Sequence, residues 1–371
     1  MVDFNVDYSE VRGKFIECPP QCGMCCLCQP EVLSEERDFF KKNYPQSIVK
    51  TRPPDSYLAL ELKKGHGSCV FLNGRKCEVY QHRPAYCRQF PLHIYAGEKV
   101  SVELDLSCRG AWTGKGADAE TEAKKIVEAA SGRIHPAFRE SKKVYEEFYR
   151  NCIEAGVMGD PSAIRTSVSV SLSKFTDPDC LGRILDMSQT EDVMSISEVV
   201  PETSPEIGEL DEAARSAAME SMSSEDPLSV PIYCDEKWNW NMFMADGDSL
   251  EWMVMDDDGN LVHKAFASAS EIPLKPLDSS GRDVLAQYIS VLNRRESFMG
   301  SVYSNIDAAG YEDSMSNAYY GTVAVSVIDL LWRASMLDHF MGTGMGADGI
   351  REAIIFYDMD RLDAPAIGAF I

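Results

Sequence analysis

Cysteine is the residue type whose spacing points most directly to chemistry in this chain of 371 residues. Nine of its twelve cysteines lie within the first 108 positions, in a tight group and a wide group: Cys18, Cys22, Cys25, Cys26 and Cys28, followed by Cys69, Cys77, Cys87 and Cys108. Soft thiolates favour zinc or iron–sulfur clusters over harder cations, and four ligands per centre is usual for both. We therefore expect one or two metal centres here, iron–sulfur of the 4Fe–4S type first and zinc as the alternative.

A disulfide framework is the competing explanation for so many cysteines. The first residues lack the uninterrupted apolar stretch of a secretion signal, so we expect a cytoplasmic protein whose thiols stay reduced. Adjacent Cys25 and Cys26 cannot easily bridge to each other, and short Cys-x-x-Cys spacing favours a shared metal. Three further cysteines each stand alone, which predicts ordinary buried thiols: Cys152, Cys180 and Cys234.

Other residues near the cysteines could support a metal centre. Arg83 and Arg88 flank Cys87, where they would either hydrogen-bond to the bound cofactor or pair with local acids and carbonyl groups. Three glycines are placed to let the backbone approach the metal: Gly23, Gly67 and Gly74. Three histidines are expected to lie outside the ligand set: His66, His82 and His93.

Five motifs follow one another between residues 15 and 112: Cys22-Gly-Met-Cys25-Cys26, Gly67-Ser-Cys69-Val-Phe-Leu72, Cys77-Glu-Val-Tyr80, Arg83-Pro84-Ala-Tyr-Cys87-Arg88-Gln-Phe90-Pro91 and Cys108-Arg-Gly110. In this order they resemble the YkgJ-type cysteine-cluster family, which is described as a zinc- or iron-chelating domain with a CxxCxxCC signature. The resemblance implies metal ligation by eight cysteines: Cys18, Cys22, Cys25, Cys26, Cys69, Cys77, Cys87 and Cys108. Three residues rather than two separate Cys18 from Cys22, and Cys28 lies outside the pattern, so its role stays open.

The same family includes flagellin lysine-N-methylases, so the resemblance also implies a second function. In that case the chain would be a methyltransferase that moves methyl groups from S-adenosylmethionine to protein lysine. The implication rests on a similar architecture alone, because positions 115–371 carry no matching motif. A third hypothesis is a zinc-stapled interaction module whose acidic remainder docks a basic protein partner.

Charge is distributed unevenly along the chain. The net charge of −23 argues against a nucleic-acid partner. Residues 1–115 carry 16 basic and 14 acidic residues, whereas the remainder carries 20 and 45. The contrast predicts a boundary near residue 115, followed by an acidic part that would present a surface to a protein partner or substrate.

The pattern as a whole predicts an α+β protein in four parts. A small, loop-rich, metal-stapled module (1–115) leads into a helical arm (116–158), an acidic connector (159–230) and a mixed α+β C-terminal domain (231–371). In the module we expect a helix from Ser34 to Lys42, strands at 56–62 and 98–106, and a helix at 85–90 behind Pro84. The arm should break into two helices at Gly132 and Pro136.

The last 140 residues should open with three strands separated by turns rich in Asp, Asn and Gly, at 238–244, 250–255 and 261–266. Long helices are expected at 280–298 and 312–341, with a last element at 350–358, and the connector should hold a short helix at 206–223. The apolar stretch 323–337 contains Asp329 and Arg333, about one helical turn apart. It predicts a buried helix and no membrane span.

Two further motifs are expected to be misleading. Gly344-Met-Gly346-Ala-Asp-Gly349 has the spacing of a dinucleotide or S-adenosylmethionine loop, but such a loop follows a strand and this one follows a predicted helix. The acidic run Asp256–Asn260 lacks the ligand spacing of a calcium loop and is typical of a hairpin turn.

Overall fold

The computed structural model describes residues 5–51, 56–190, 193, 195–199, 207–223 and 230–371. Its secondary structure is mixed, with small sheets in the first 118 residues and a long helical region after them. The predicted α+β class is therefore confirmed. The four-part division of the chain stays a prediction.

Short elements make up the first 118 residues. They are β1 (Val6–Asp7), β2 (Phe15–Ile16), α1 (Arg37–Asn43), β3 (Ile48–Lys50), β4 (Leu58–Leu60), β5 (Leu72–Asn73), β6 (Lys76–Cys77), α2 (Ala85–Gln89), β7 (Leu92–Ala96), β8 (Val100–Leu104) and β9 (Ala117–Asp118). The four elements predicted in this region are present. Helix α1 begins three residues later than predicted, because Ser34 donates its hydroxyl to Glu35 instead of capping the helix.

Helix α3 (Ala119–Ala155) is continuous, so the predicted break at Gly132 and Pro136 is wrong. Proline has no N–H, and its ring crowds the carbonyl group four residues earlier. Ala130, Ile134 and Phe138 stay buried across the proline, so the packing of one helical face continues through the expected break.

The remaining elements complete the fold. They are α4 (Pro161–Ser169), α5 (Leu172–Phe175), α6 (Pro178–Thr190), α7 (Ile207–Met222), β10 (Ile232–Cys234), β11 (Trp240–Asp246), β12 (Ser249–Met255), β13 (Leu261–Ser268), α8 (Ser279–Leu292), α9 (Glu296–Ala308), α10 (Met315–Met341), α11 (Ala347–Leu362) and β14 (Ala369–Phe370). Helix α7 confirms the short helix predicted in the connector, and β11 to β13 confirm the three predicted strands.

The single helix predicted at 280–298 is wrong, because the chain forms α8 and α9 with a turn between them. Arg295 lies in that turn with an extended backbone. Its guanidinium enters the core, where it lies 2.7 Å from the Asp358 carboxylate and 3.1 Å from that of Glu10. A buried arginine needs such partners, and the interruption of the helix brings it to them.

Two four-stranded sheets organise the strands of the described residues. In the first, the order is β1-β8-β7-β14, with β1 parallel to β8 and the other pairs antiparallel. The second is an antiparallel meander in the order β10-β11-β12-β13. Three two-stranded pairs, β2-β9, β3-β4 and β5-β6, shape the loops that carry the cysteines.

Helix α10 lies in the largest hydrophobic core, where it packs against α6, α7 and α11. Asp329 and Arg333 lie on one face of this helix with 2.7 Å between carboxylate and guanidinium, which confirms the predicted pair. The arginine also lies 2.7 Å from Asp360 on α11. Among the residues that the structure describes, none of the helices has the length and apolar character needed to cross a bilayer.

The acidic turn Asp256–Asn260 connects β12 to β13, as predicted, and packs on the cysteine-rich region; we call it the docking turn. The backbone N–H and the hydroxyl of Ser68 donate to the Asp257 carbonyl oxygen at 3.1 and 2.8 Å. Arg75 places its Nε 2.9 Å from the Asp257 carboxylate. The docking turn therefore holds the second sheet against the loops that carry the cysteines.

Candidate metal centre

All nine cysteines of the first 108 residues line two adjoining cavities. Cavity A has a volume of about 170 Å³ and is lined by Cys18, Cys22, Cys25, Cys87 and Cys108. Cavity B has a volume of about 310 Å³ and is lined by Cys18, Cys25, Cys26, Cys28, Cys69, Cys77 and Cys87. Three thiols are shared between the two cavities, so the tight and wide groups meet in one place.

Backbone contacts bring the two groups together. Gly23, with φ of +62°, begins a short 3-10 turn over Met24–Cys26, which carries two adjacent cysteines. The N–H of Cys69 donates to the carbonyl of Cys26 at 2.7 Å. This single bond joins loops more than forty residues apart and places both cysteines on cavity B.

The other members of the wide group sit on short elements of their own. Cys77 ends β6, which pairs tightly with β5, and Cys87 lies within α2. Cys108 precedes a 3-10 turn that contains Gly110. The Glu17 N–H donates to the Gly110 carbonyl at 3.3 Å, and this contact brings the chain beside Cys18 close to the chain beside Cys108.

The thiols surround the cavities and do not converge on one point. Across the described part of the chain, no three His, Cys, Asp or Glu side chains gather closely enough to hold a single ion. Thiolates bound 2.3 Å from one tetrahedral metal lie about 3.8 Å apart. The described sulfurs therefore do not form a set of three or more at the spacing of the ligands of one ion.

Protonation of the thiols depends on burial. Burial raises the pKa of Cys69 to about 11 and also raises the pKa values of Cys77, Cys87 and Cys108. These thiols are neutral near pH 7 when no metal is bound. Because only thiolates are strong metal ligands, metal binding at these positions must release protons.

Both candidate cofactor-binding arginines lie at the cavities. Arg83 lines both cavities, donates from Nε to the Tyr80 carbonyl at 3.0 Å and stacks on the Tyr80 ring. Arg88 lines cavity A, pairs with Glu36 at 3.1 Å and donates to the Arg83 carbonyl. Each arginine thus pairs with a local acid or carbonyl group, which was the alternative to contact with a cofactor. Contact with a bound cofactor stays a prediction for both.

The three histidines lie in separate places. His66 lines a third cavity of about 410 Å³ together with Cys28 and Cys234. His82 packs its ring against Phe39, and His93 places Nε2 3.4 Å from the Asp105 carboxylate. None of them appears among the residues that line cavities A and B.

Cys234 is a residue of this region that sequence reasoning missed. It lies at the end of β10, and its Sγ is 3.9 Å from the Sγ of Cys22. The hydrogen bond between these thiols lowers the pKa of Cys22 to about 7 and raises that of Cys234. Cys234 is buried, as are Cys152 and Cys180, which confirms the prediction of buried thiols for all three, but the contact with Cys22 was not predicted. No local motif marks Cys234, because it reaches Cys22 through the pairing of the second sheet.

Arg109 is a second residue that the sequence did not single out. It follows Cys108 and donates to the Cys234 carbonyl. The same guanidinium pairs with the buried Glu352 on α11, which also accepts from the Tyr233 hydroxyl. This partly buried arginine ties the end of the cysteine-rich region to β10 and to the last helix.

Gly67 serves a different contact from the one predicted for it. A Cβ at this position would lie 2.5 Å from the carbonyl carbon of Asp258 in the docking turn. The glycine therefore allows the docking turn to approach, whereas Gly23 lines both cavities as expected.

The Gly344–Gly349 motif connects α10 to α11, so it lacks the strand that a nucleotide loop requires.

Comparison with known proteins supports the chemistry of this region. Residues 17–109 match the model of the CxxCxxCC family, described as "Putative zinc- or iron-chelating domain", and the resemblance is thereby confirmed over that stretch. An uncharacterized protein of Methanocaldococcus jannaschii is 28% identical in an alignment of 107 positions, which covers 26% of this chain and 58% of the relative. No solved structure matches the chain. Iron–sulfur chemistry and lysine methylation stay predictions.

Proposed function

We propose that the protein binds an iron–sulfur centre through the cysteines of its zinc- or iron-chelating domain, as a redox, sensing or structural element. The observation that carries this proposal is the lining of cavities A and B by all nine cysteines of the first 108 residues. Cysteine thiolates are the usual ligands of such clusters. Both the donor set and the space between the donors fit the group.

The cysteines divide naturally between the two cavities. Cys22 and Cys108 line cavity A alone, and Cys26, Cys69 and Cys77 line cavity B but not A. The three shared cysteines complete either set: Cys18, Cys25 and Cys87. Eight thiolates suffice for two centres with four ligands each, and Cys28 is then a spare thiol beside cavity B.

Iron–sulfur is preferred to a single zinc ion because of the space between the thiols. A structural zinc would need four sulfurs at the close spacing of one tetrahedron, and the described residues hold no such group of three. A cluster carries its own sulfide and iron atoms, so thiolates on different irons stand farther apart than the ligands of one ion. A volume of about 310 Å³ bordered by seven cysteines suits the larger group.

The side chains around the cavities would influence what the centre does. When bound, an iron–sulfur cluster can accept and return single electrons. Arg83 lines both cavities, and a cationic neighbour stabilises the more negative, reduced state of such a centre. Tyr80, which lines both cavities, is exposed to solvent.

The test is metal analysis of the full chain purified under strict anaerobiosis. We expect iron and acid-labile sulfide in near-equal amounts and a broad visible absorbance that dithionite bleaches. Cys25→Ser and Cys87→Ser should both lower the iron content and the unfolding temperature, because metal binding contributes folding energy. Cys152→Ser, at a buried position in the main core, is the matched control and should keep its iron.

Two outcomes would contradict the proposal. A colourless protein with stoichiometric zinc would instead support the zinc-stapled interaction module. An unchanged metal content in both Cys25→Ser and Cys87→Ser would refute the assignment of these thiols as ligands.

A further inference from the structure

We propose that Cys234, which lies outside the matched domain, is an additional ligand of the metal centre and shares a metal atom with Cys22. The inference rests on the proposed function and extends it to the second sheet. It is based on a sulfur–sulfur distance, on the burial of both thiols and on the hydrogen bonds that fix their backbones.

The distance between the two sulfurs fits one iron atom that carries two cysteine thiolates, as each iron of a 2Fe–2S cluster does. Cys22 Sγ and Cys234 Sγ lie 3.9 Å apart, and thiolates on one tetrahedral metal lie about 3.8 Å apart. Cys234 is 1% exposed and Cys22 is 9% exposed. Cys22 lines cavity A, and the Cys234 sulfur lies directly beside the Cys22 sulfur.

Hydrogen bonds hold the backbone of Cys22 against the second sheet. The indole Nε1 of Trp240 donates to the Cys22 carbonyl at 2.9 Å, and Arg75 donates to the same oxygen at 3.2 Å. The Arg75 guanidinium also stacks on the Trp240 ring, 3.4 Å from its centroid. In β10 and β11 the residue paired with Cys234 is Trp240 itself.

A hydrogen bond from the cysteine-rich region holds the backbone of Cys234. Arg109, next to the predicted ligand Cys108, donates to the Cys234 carbonyl. The pairing of Arg109 with the buried Glu352 fixes the position of this donor. Three predicted or proposed ligands, Cys22, Cys108 and Cys234, are thus connected through charge-assisted and neutral hydrogen bonds that hold them in place before metal arrives.

Cys234 packs in a small apolar cluster, but its neighbours there include the sulfur of the predicted ligand Cys22. Cys152 provides the comparison, because it is fully buried on α3 among the apolar side chains of the main core. Cys234 instead also borders the third cavity together with Cys28, the cysteine that the family pattern leaves unassigned. The second sheet therefore presents a sulfur donor at the edge of the metal region.

The experiment compares Cys234→Ala and Cys234→Ser with Cys152→Ala in the anaerobically purified full chain. Iron and sulfide per chain, the electron paramagnetic resonance spectrum of the reduced protein and the unfolding temperature are measured for each. We expect Cys234→Ala to lose iron, Cys234→Ser to show a shifted spectrum because an oxygen replaces a sulfur ligand, and Cys152→Ala to keep the wild-type iron content and spectrum.

The outcomes separate this inference from the proposed function. If Cys234→Ala and Cys234→Ser keep the wild-type iron content and spectrum while Cys25→Ser loses iron, Cys234 is not a ligand and the cluster assignment stands. If Cys25→Ser also keeps its metal, the proposed function itself fails. Should Cys234→Ala not fold, the near-isosteric Cys234→Ser decides alone, and an unshifted spectrum with full iron content overturns the inference.

Discussion

The Gly67→Ala variant tests whether Gly67 is needed for the contact with the docking turn or for metal binding. A Cβ at Gly67 would lie 2.5 Å from the carbonyl carbon and 2.7 Å from the carbonyl oxygen of Asp258, and 2.9 Å from the amide nitrogen of Gly259. Real Cβ contacts essentially never fall below 3.0 Å. The loop around Gly67 and the docking turn would therefore have to separate by several tenths of an ångström.

That separation would lengthen two hydrogen bonds. Ser68 donates to the Asp257 carbonyl oxygen from its N–H at 3.1 Å and from its hydroxyl at 2.8 Å, and each bond contributes about 0.5–1.5 kcal/mol. Forcing an extra carbon into a packed contact costs about 1–3 kcal/mol. These amounts overlap, because the movement that relieves the clash also lengthens the bonds. We expect Gly67→Ala to lower the free energy of unfolding by about 2 kcal/mol.

The assay is urea unfolding of the metal-loaded full chain, followed by tryptophan fluorescence under anaerobic conditions, with iron per chain measured in parallel. Iron should stay at the wild-type level, because the bond from Cys69 N–H to the Cys26 carbonyl does not involve the docking turn. Gly132→Ala is the control. Gly132 lies exposed in α3 with no atom near its Cβ position, so alanine there should be neutral or stabilising by about 0.5–1 kcal/mol. Loss of iron at unchanged stability in Gly67→Ala would refute the reasoning.

Two more predictions concern ion pairs. Burial disfavours the charged form of His93, but the hydrogen bond and charge of Asp105 outweigh burial and raise the pKa of His93. The pair therefore stabilises the fold below about pH 6.5. This contribution is lost as the pH rises through the pKa of His93 in the folded protein. His93→Gln should flatten the pH dependence of the unfolding temperature between about pH 6 and 8, and an unchanged slope would contradict the assignment. Asp257→Ala breaks the partly exposed pair with Arg75 and should lower the free energy of unfolding by about 1 kcal/mol or less, with a smaller effect in high salt. Glu140→Ala, which breaks an exposed pair on α3, is the control and should lower it by less. Equal losses of stability in the two variants would argue against a docking role for Asp257.

Short-range patterns account for what could be predicted from the sequence. Turn residues and alternating apolar positions locate β11, β12 and β13, and the spacing of Asp329 and Arg333 identifies a pair on one face of α10. These features depend on a few neighbouring residues. The density of cysteines likewise identifies the metal-binding region, since their chemistry is carried by residue type and local spacing.

Features that depend on distant contacts could not be predicted. Helix α3 continues through Pro136 because one of its faces is buried along its length, and the turn before α9 exists where Arg295 meets Asp358. Cys234 has no neighbouring cysteine in the chain and approaches Cys22 only through strand pairing. Each case requires a partner more than sixty residues away or a buried surface that local sequence does not reveal.

The placement of β7 and β8 limits how the metal region can be studied in isolation. In the first sheet these strands lie between β1 and β14, and Leu72 with Cys22 is covered by Trp240. A fragment cut to residues 17–109 would expose two unpaired strand edges and a bare apolar face, which are common causes of aggregation. Transplanting that stretch into another scaffold, or recording its spectra alone, would therefore examine a differently packed polypeptide.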